Sequence, residues 1–159
     1  MTKGPWNASA ILLALAGLLV SGIGIYFLAF RPALLPEDIR FIGLSPTEVE
    51  QLAARLAPWL SNVFHVLGGF ALATGVVTIA LAATSYRARS PAAVLAAALG
   101  GTVSIVLMAV VNFSINSDFK WLLAGFALVW ASSLVAFAFE VPIDQARATN
   151  ASTRRGNRK

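Results

Sequence analysis

One side chain in this sequence suits proton chemistry near neutral pH: His65, the sole histidine among 159 residues. An imidazole changes charge between pH 5 and 8, and its two ring nitrogens can relay a hydrogen bond. His65 is also the only titratable group in the apolar stretch Leu60–Thr84, LSNVFHVLGGFALATGVVTIALAAT. Helical steps of three and four residues bring Ser61, Asn62, His65, Gly68, Gly69, Leu72 and Gly75 onto one broad face. Polar groups followed by glycines mark a face that packs on other helices, which leaves Val63, Phe70, Val77 and Leu81 for lipid. Asn112 lies at a similar depth in a later apolar run, on a face with Ala97, Gly101, Ser104, Met108 and Asn116. The spacing therefore predicts that His65 meets Asn112 inside a helix bundle, as a neutral donor whose charged form is disfavoured by partial burial.

Asn62 and Asn116 extend this cluster, and the acids Glu37 and Asp38 of the preceding connection can reach it from above. The expected ligand-binding set is thus His65, Asn62, Asn112, Asn116, Glu37 and Asp38. Two functional readings stay open. In one, the cluster binds the polar head of a small lipophilic ligand of lipid or quinone type, with His65 as donor or proton carrier. In the other, it is an interhelical hydrogen bond that only holds the bundle together. Glu37 and Asp38 could alternatively bind a cation, pair with Arg40 or simply favour the positive end of a helix. Glu140, at the edge of the last apolar run, is expected to pair with a nearby arginine.

Several chemistries are excluded or weakened. With no cysteine, there is no disulfide framework, thiolate metal site or thiol redox centre. A single histidine with few acids around it does not make a metal site. No buried set of acid, base and nucleophile appears, so no catalytic residue, metal or cofactor is expected, and this weighs against an enzyme. A transporter would be expected to show interrupted helices or a charge at mid-depth, and neither is visible.

The elements that must position these residues follow from composition. The chain is 58% hydrophobic and 12% charged, about half the charge of a soluble domain, with a mean hydropathy of +0.76. Four uncharged runs, 8–30, 60–86, 90–117 and 121–139, each reach the ~20 residues needed to cross hydrocarbon. Lipid offers backbone groups no partners, so each run must be helical. The expected fold is all-α: a four-transmembrane-helix bundle over residues 1–143, with helices at about 8–30, 60–85, 91–116 and 121–140. Residues 144–159 are expected to be a disordered basic cytoplasmic tail.

The connection 31–58 carries ordered signals. Pro36-Glu37-Asp38 starts a short helix that Gly43 can end, and Ser45-Pro46-Thr47-Glu48 reads as a capping box. The latter opens an amphipathic helix over Pro46–Ala57, expected to lie in the outer connection between helices 1 and 2 with Val49, Leu52 and Leu56 turned inward. In helix 1, Gly17, Ser21 and Gly24 or Ile25 form a small-residue stripe for close contact.

Eight of the twelve lysines and arginines fall in the N-terminal segment, the second hairpin and the tail, against four in the opposite connections. The positive-inside rule then places both termini in the cytoplasm of a multi-pass plasma-membrane protein, a bacterial inner membrane being expected. The net charge of +5 is concentrated beside apolar helices, which points to membrane lipid and not to nucleic acid. The sequence favours an accessory or structural subunit, as a homo-oligomer or in a larger membrane complex. The alternative is the binder or carrier of a lipophilic ligand.

Leu35, Pro36, Asp38, Phe41 and Gly43, followed by His65, Gly68 and Gly69, resemble a motif of small bacterial four-helix membrane proteins, a domain of unknown function. The resemblance covers about a third of the chain and implies the fold alone. Where that group often has His-Asp-Arg, this chain has His65-Val66-Leu67, which removes the charged neighbours of the histidine.

Overall fold

The computed structural model describes residues 6–43 and 45–140, and every regular element among them is helical. Helix α1 is Ala8–Ala29, α2 is Pro36–Ile42 and α3 is Pro46–Leu81, which continues through a π turn at Ala82–Tyr86. The third long helix consists of α4 (Pro91–Gly101), a π turn at Thr102–Val106 and α5 (Leu107–Ser114); α6 is Lys120–Phe139. Four helices are long and apolar enough to cross a membrane: Ala8–Ala29, Thr47–Tyr86, Pro91–Ser114 and Lys120–Phe139. They match the expected runs to within a few residues at every end but one.

The exception is the start of α3. The separate amphipathic helix expected over Pro46–Ala57 runs on into the second long helix, with Pro58 inside it. Proline removes one ladder donor and crowds the carbonyl four residues back, here on exposed Ala54. The result is a 40-residue helix about 60 Å long, twice the thickness of a hydrocarbon core. The expected inward turn of Leu52 and Leu56 is not found. They are 37% and 39% exposed, with Trp59 at 61% on the same side, and Val49, Ala53 and Ala57 form the half-buried face. The predicted tail, 144–159, lies outside the described residues.

The helices pack as a chain of neighbours: α3 on α1, α1 on α6, and α6 on the third helix. Where α1 meets α3, backbone lies against backbone. A Cβ at Gly24 would come within 2.7 Å of Leu72 Cα and 2.8 Å of the Gly68 carbonyl; one at Gly17 would come within 2.8 Å of the Gly75 carbonyl. Ser21, between them, turns its hydroxyl onto its own helix at Gly17 O, 2.9 Å away. This is the stripe expected from Gly17, Ser21 and Gly24, and only glycine admits so close an approach.

The third helix is fitted to α6 differently. Its buried residues, Ala93, Ala97, Gly101, Ile105 and Ala109, recur every four positions. A step of four overshoots a 3.6-residue turn, and the wider π turn after Gly101 absorbs part of the drift. Gly101 leaves the notch that the Trp130 indole fills, and Trp130 Nε1 donates to the Ala97 carbonyl at 3.0 Å.

The end of the bundle formed by the α3–α4 hairpin is knit by polar groups. Glu140 accepts from the Ser9 backbone N–H at 2.8 Å and from its hydroxyl at 2.6 Å, and pairs with Arg89 at 3.1 Å. The Arg89 guanidinium lies over the Phe137 ring, and Arg89 itself takes a left-handed φ of 59°. Tyr86, fully buried, donates to the Ser133 carbonyl at 3.0 Å. The expected arginine partner of Glu140 is thus Arg89.

Candidate functional site: a cleft at the α2 end

The opposite end of the bundle is open. α3 meets the third helix chiefly at α4, beside the hairpin. Further from it α3 and α5 part, leaving a cleft of about 650 Å³ with α1 and α6 as its other walls. That volume falls in the range of small-molecule sites. Its body is apolar: Leu18, Leu19 and Ile23 from α1, Leu67 from α3, Met108 and Val111 from α5, Leu122 and Phe126 from α6. Gly22 also lines it, and a Cβ there would meet nothing within 4 Å.

The charged groups of the cleft lie at one end, where α2 covers it. Proline at the first helical position and the Asp38 carboxylate, accepting from the Leu35 N–H at 2.8 Å, start α2. Gly43, at φ 74°, ends it in the left-handed conformation that costs glycine least. In the same first turn, Glu37 is 7% exposed and pins α2 to the α5–α6 turn. Its Oε1 accepts from the Ser117 hydroxyl at 2.9 Å and its Oε2 from the Asp118 N–H at 2.8 Å. Ser117 is itself fully buried and accepts from the Phe119 N–H.

Arg31 closes the next corner. Its side chain is 8% exposed and its guanidinium lies 3.5 Å from the Phe64 ring centroid and 5.3 Å from that of Phe27. It donates to Asp38 at 3.1 Å and to the Pro32 carbonyl at 3.0 Å. Arg31 therefore ties α1, α2 and α3 together while its charge is met by Asp38. Arg40, one of the alternatives considered for the two acids, bonds to Asp118 in an exposed pair at 2.9 Å.

Of the six residues expected to form one site, the structure brings together three: Glu37, Asp38 and Asn112 line the cleft. Asn112 gives its amide N–H to the Met108 carbonyl of its own helix at 2.9 Å. His65 does not meet it. The ring is exposed on the outer side of α3 and its Nδ1 lies 2.7 Å from the Ser61 carbonyl. Asn62 and Asn116 are exposed as well, and Asn116 accepts from Lys120 across the α5–α6 turn. The reason is the narrowness of the α1 contact. Phe64, Gly68 and Gly75 occupy it, and Gly69, expected to share it, meets nothing within 4 Å of its Cβ position. Asn62, His65 and Gly69 are a step round the helix on its free side.

Two members of the site escaped the sequence reading. Arg31 and Ser117 were not among the residues expected there; Asp38, seven residues on from Arg31, was a signal for pairing, whereas the bond of Ser117 to Glu37 spans 80 residues. No group of three or more metal-binding side chains occurs among the described residues. The arrangement can hold a hydrocarbon chain in its body and a polar head at its α2 end. Comparison with family models, curated proteins and solved structures finds no match.

Proposed function

We propose that this chain spans a membrane four times and holds a lipophilic molecule in the cleft between α1, α3, α5 and α6. The observation that carries the reading is the cleft itself: an apolar body of about 650 Å³ with its charged groups gathered at one end. Membrane insertion is supported by the outer surface. Phe70, Val77, Val103 and Leu128 are each more than 65% exposed, a distribution suited to hydrocarbon and costly in water. With the termini and hairpin cytoplasmic, the cleft opens in the outer leaflet. Cysteine labelling tests this on the cysteine-free chain: Asn116→Cys should react from outside and Ala88→Cys from inside. The reverse pattern rejects the orientation.

The binding reading is tested by filling the cleft. The wild-type chain, purified in a mild detergent and extracted with organic solvent, should yield a stoichiometric amphiphile by mass spectrometry. Gly22→Leu, which places a side chain in free space within the cleft, should lose it while remaining folded. Equal retention by both chains rejects the reading.

A specific observation favours a second role, as an accessory subunit. Asn62, His65, Gly69 and Ala73 form an exposed stripe of small and polar residues on the free side of α3. Such a stripe suits close packing by another helix, from a second copy or a larger complex. Disulfide crosslinking through Gly69→Cys in native membranes should trap that neighbour, and no crosslink at any oxidant level rejects it.

A further inference from the structure

Glu37 is a buried carboxylate without a cation. Its two oxygens accept from a hydroxyl and a backbone N–H, both neutral, and no lysine or arginine among the described residues pairs with it. The cleft's other charges cancel, because Arg31 is matched to Asp38 at 3.1 Å and covered by the Phe64 ring. Counting the three charged side chains that line the cleft at this end, Arg31, Glu37 and Asp38, the head region carries one net negative charge. A buried charge is costly unless a counter-charge meets it. Each Glu37 oxygen keeps a further lone pair beyond the bond it already accepts. Tyr26 and Phe119, with ring centroids 6.4 Å apart, line the same end and offer aromatic faces that attract a cation.

We propose that the cleft selects a lipophilic amine: one hydrocarbon chain in the apolar body and one cationic ammonium head against Glu37. This rests on the cleft being a binding site. A phosphate-bearing head, anionic or zwitterionic, would place a further negative charge beside Glu37 and Asp38. A neutral sugar head would leave the Glu37 charge unmet.

The test uses the full-length chain and amphiphiles with the same twelve-carbon tail, read by native mass spectrometry as bound ligand against concentration. The heads are a primary amine, a trimethylammonium, a phosphocholine, a maltoside and a phosphate. In the wild type the two cationic heads should bind at least about tenfold more tightly than the maltoside, the gain typical of a charge-assisted contact. The phosphocholine and phosphate should bind no better than the maltoside. Glu37→Gln should remove the preference for cationic heads and leave maltoside binding in place, with its thermal midpoint followed in parallel.

Equal binding of cationic and neutral heads by the wild type overturns the proposal without any variant and leaves the cleft as a general lipophile site. A cation preference that survives in folded Glu37→Gln overturns it too. The underlying reading fails separately: Gly22→Leu should weaken all five heads alike, and binding of every head unchanged in that variant removes the cleft as the site.

Discussion

Gly24 and Gly22 stand two residues apart on α1 and meet opposite surroundings. A side chain at Gly24 would run into the backbone of α3 at Leu72 and Gly68, whereas one at Gly22 would enter open space in the cleft. The helix is the same, and so is the residue type. What differs is the neighbour: α3 lies against one side of α1 along its glycines, but it diverges from α5 on the other. Small residues therefore do not themselves bring helices together. They permit contact where the bundle supplies a partner, and they leave a void where it does not. Closely packed seam and open cleft can then be changed separately.

The largest effect should come from the packed side. Trp130 fills the notch at Gly101 and bonds to the Ala97 carbonyl beside the π turn of the third helix. Trp130→Ala should lower stability by about 3–5 kcal/mol, as a lost indole and the void it leaves do in other cores. Denaturant unfolding in detergent micelles measures this; a change below about 1 kcal/mol would mean that α6 does not set the fit of the third helix.

Next is the seam. Gly24→Ala adds one methyl where backbone atoms already stand, and should cost about 1–3 kcal/mol by forcing α1 and α3 apart. Gly22→Leu, the matched change on the open side, should be neutral or stabilise by up to about 1 kcal/mol through better helix propensity. If the two substitutions shift the midpoint equally, the contrast between seam and cleft is not a property of the protein.

The sequence made the seam legible because close approach leaves a periodic mark. Gly17, Ser21 and Gly24 repeat at helical spacing, as do Gly68 and Gly75. It did not say how wide the contact is. Seven residues from Ser61 to Gly75 fit one broad face, but α1 occupies a narrower arc, so His65 and Gly69 fall outside it. The cleft was less legible still, since it depends on the divergence of two helices and on a bond between Glu37 and Ser117 across 80 residues. The π turn after Gly101 was not legible: the face expected from the sequence continues to Ser104 and Met108, whereas the buried positions step on to Ile105 and Ala109. Pro58 misled for a physical reason: its missing donor and its crowded carbonyl fall at exposed positions, so the helix continues through it.

The smallest expected effect lies where α3 projects beyond both seam and cleft. Its first turn is held locally, by Glu48, whose Oε2 accepts from the Ser45 N–H at 2.9 Å and from the Ser45 hydroxyl at 2.6 Å. These bonds favour the carboxylate and hold the Glu48 pKa below its ordinary value of 4.5. A group whose pKa is lower in the folded state stabilises that state fully above its unfolded value. The contribution is therefore complete above 4.5 and disappears as the pH falls through the lower, folded value. Because Glu48 is fully exposed, only local fraying is expected, with the seam unaffected. The 13Cα shifts of Thr47–Glu50 should move toward coil values on acidification, while those of Gly68 and Gly75 stay in place. Glu48→Gln should start partly frayed and lose that pH dependence. If the wild-type shifts do not move with pH, the first turn is held by packing after all, and α3 would not be free of the bundle where it begins.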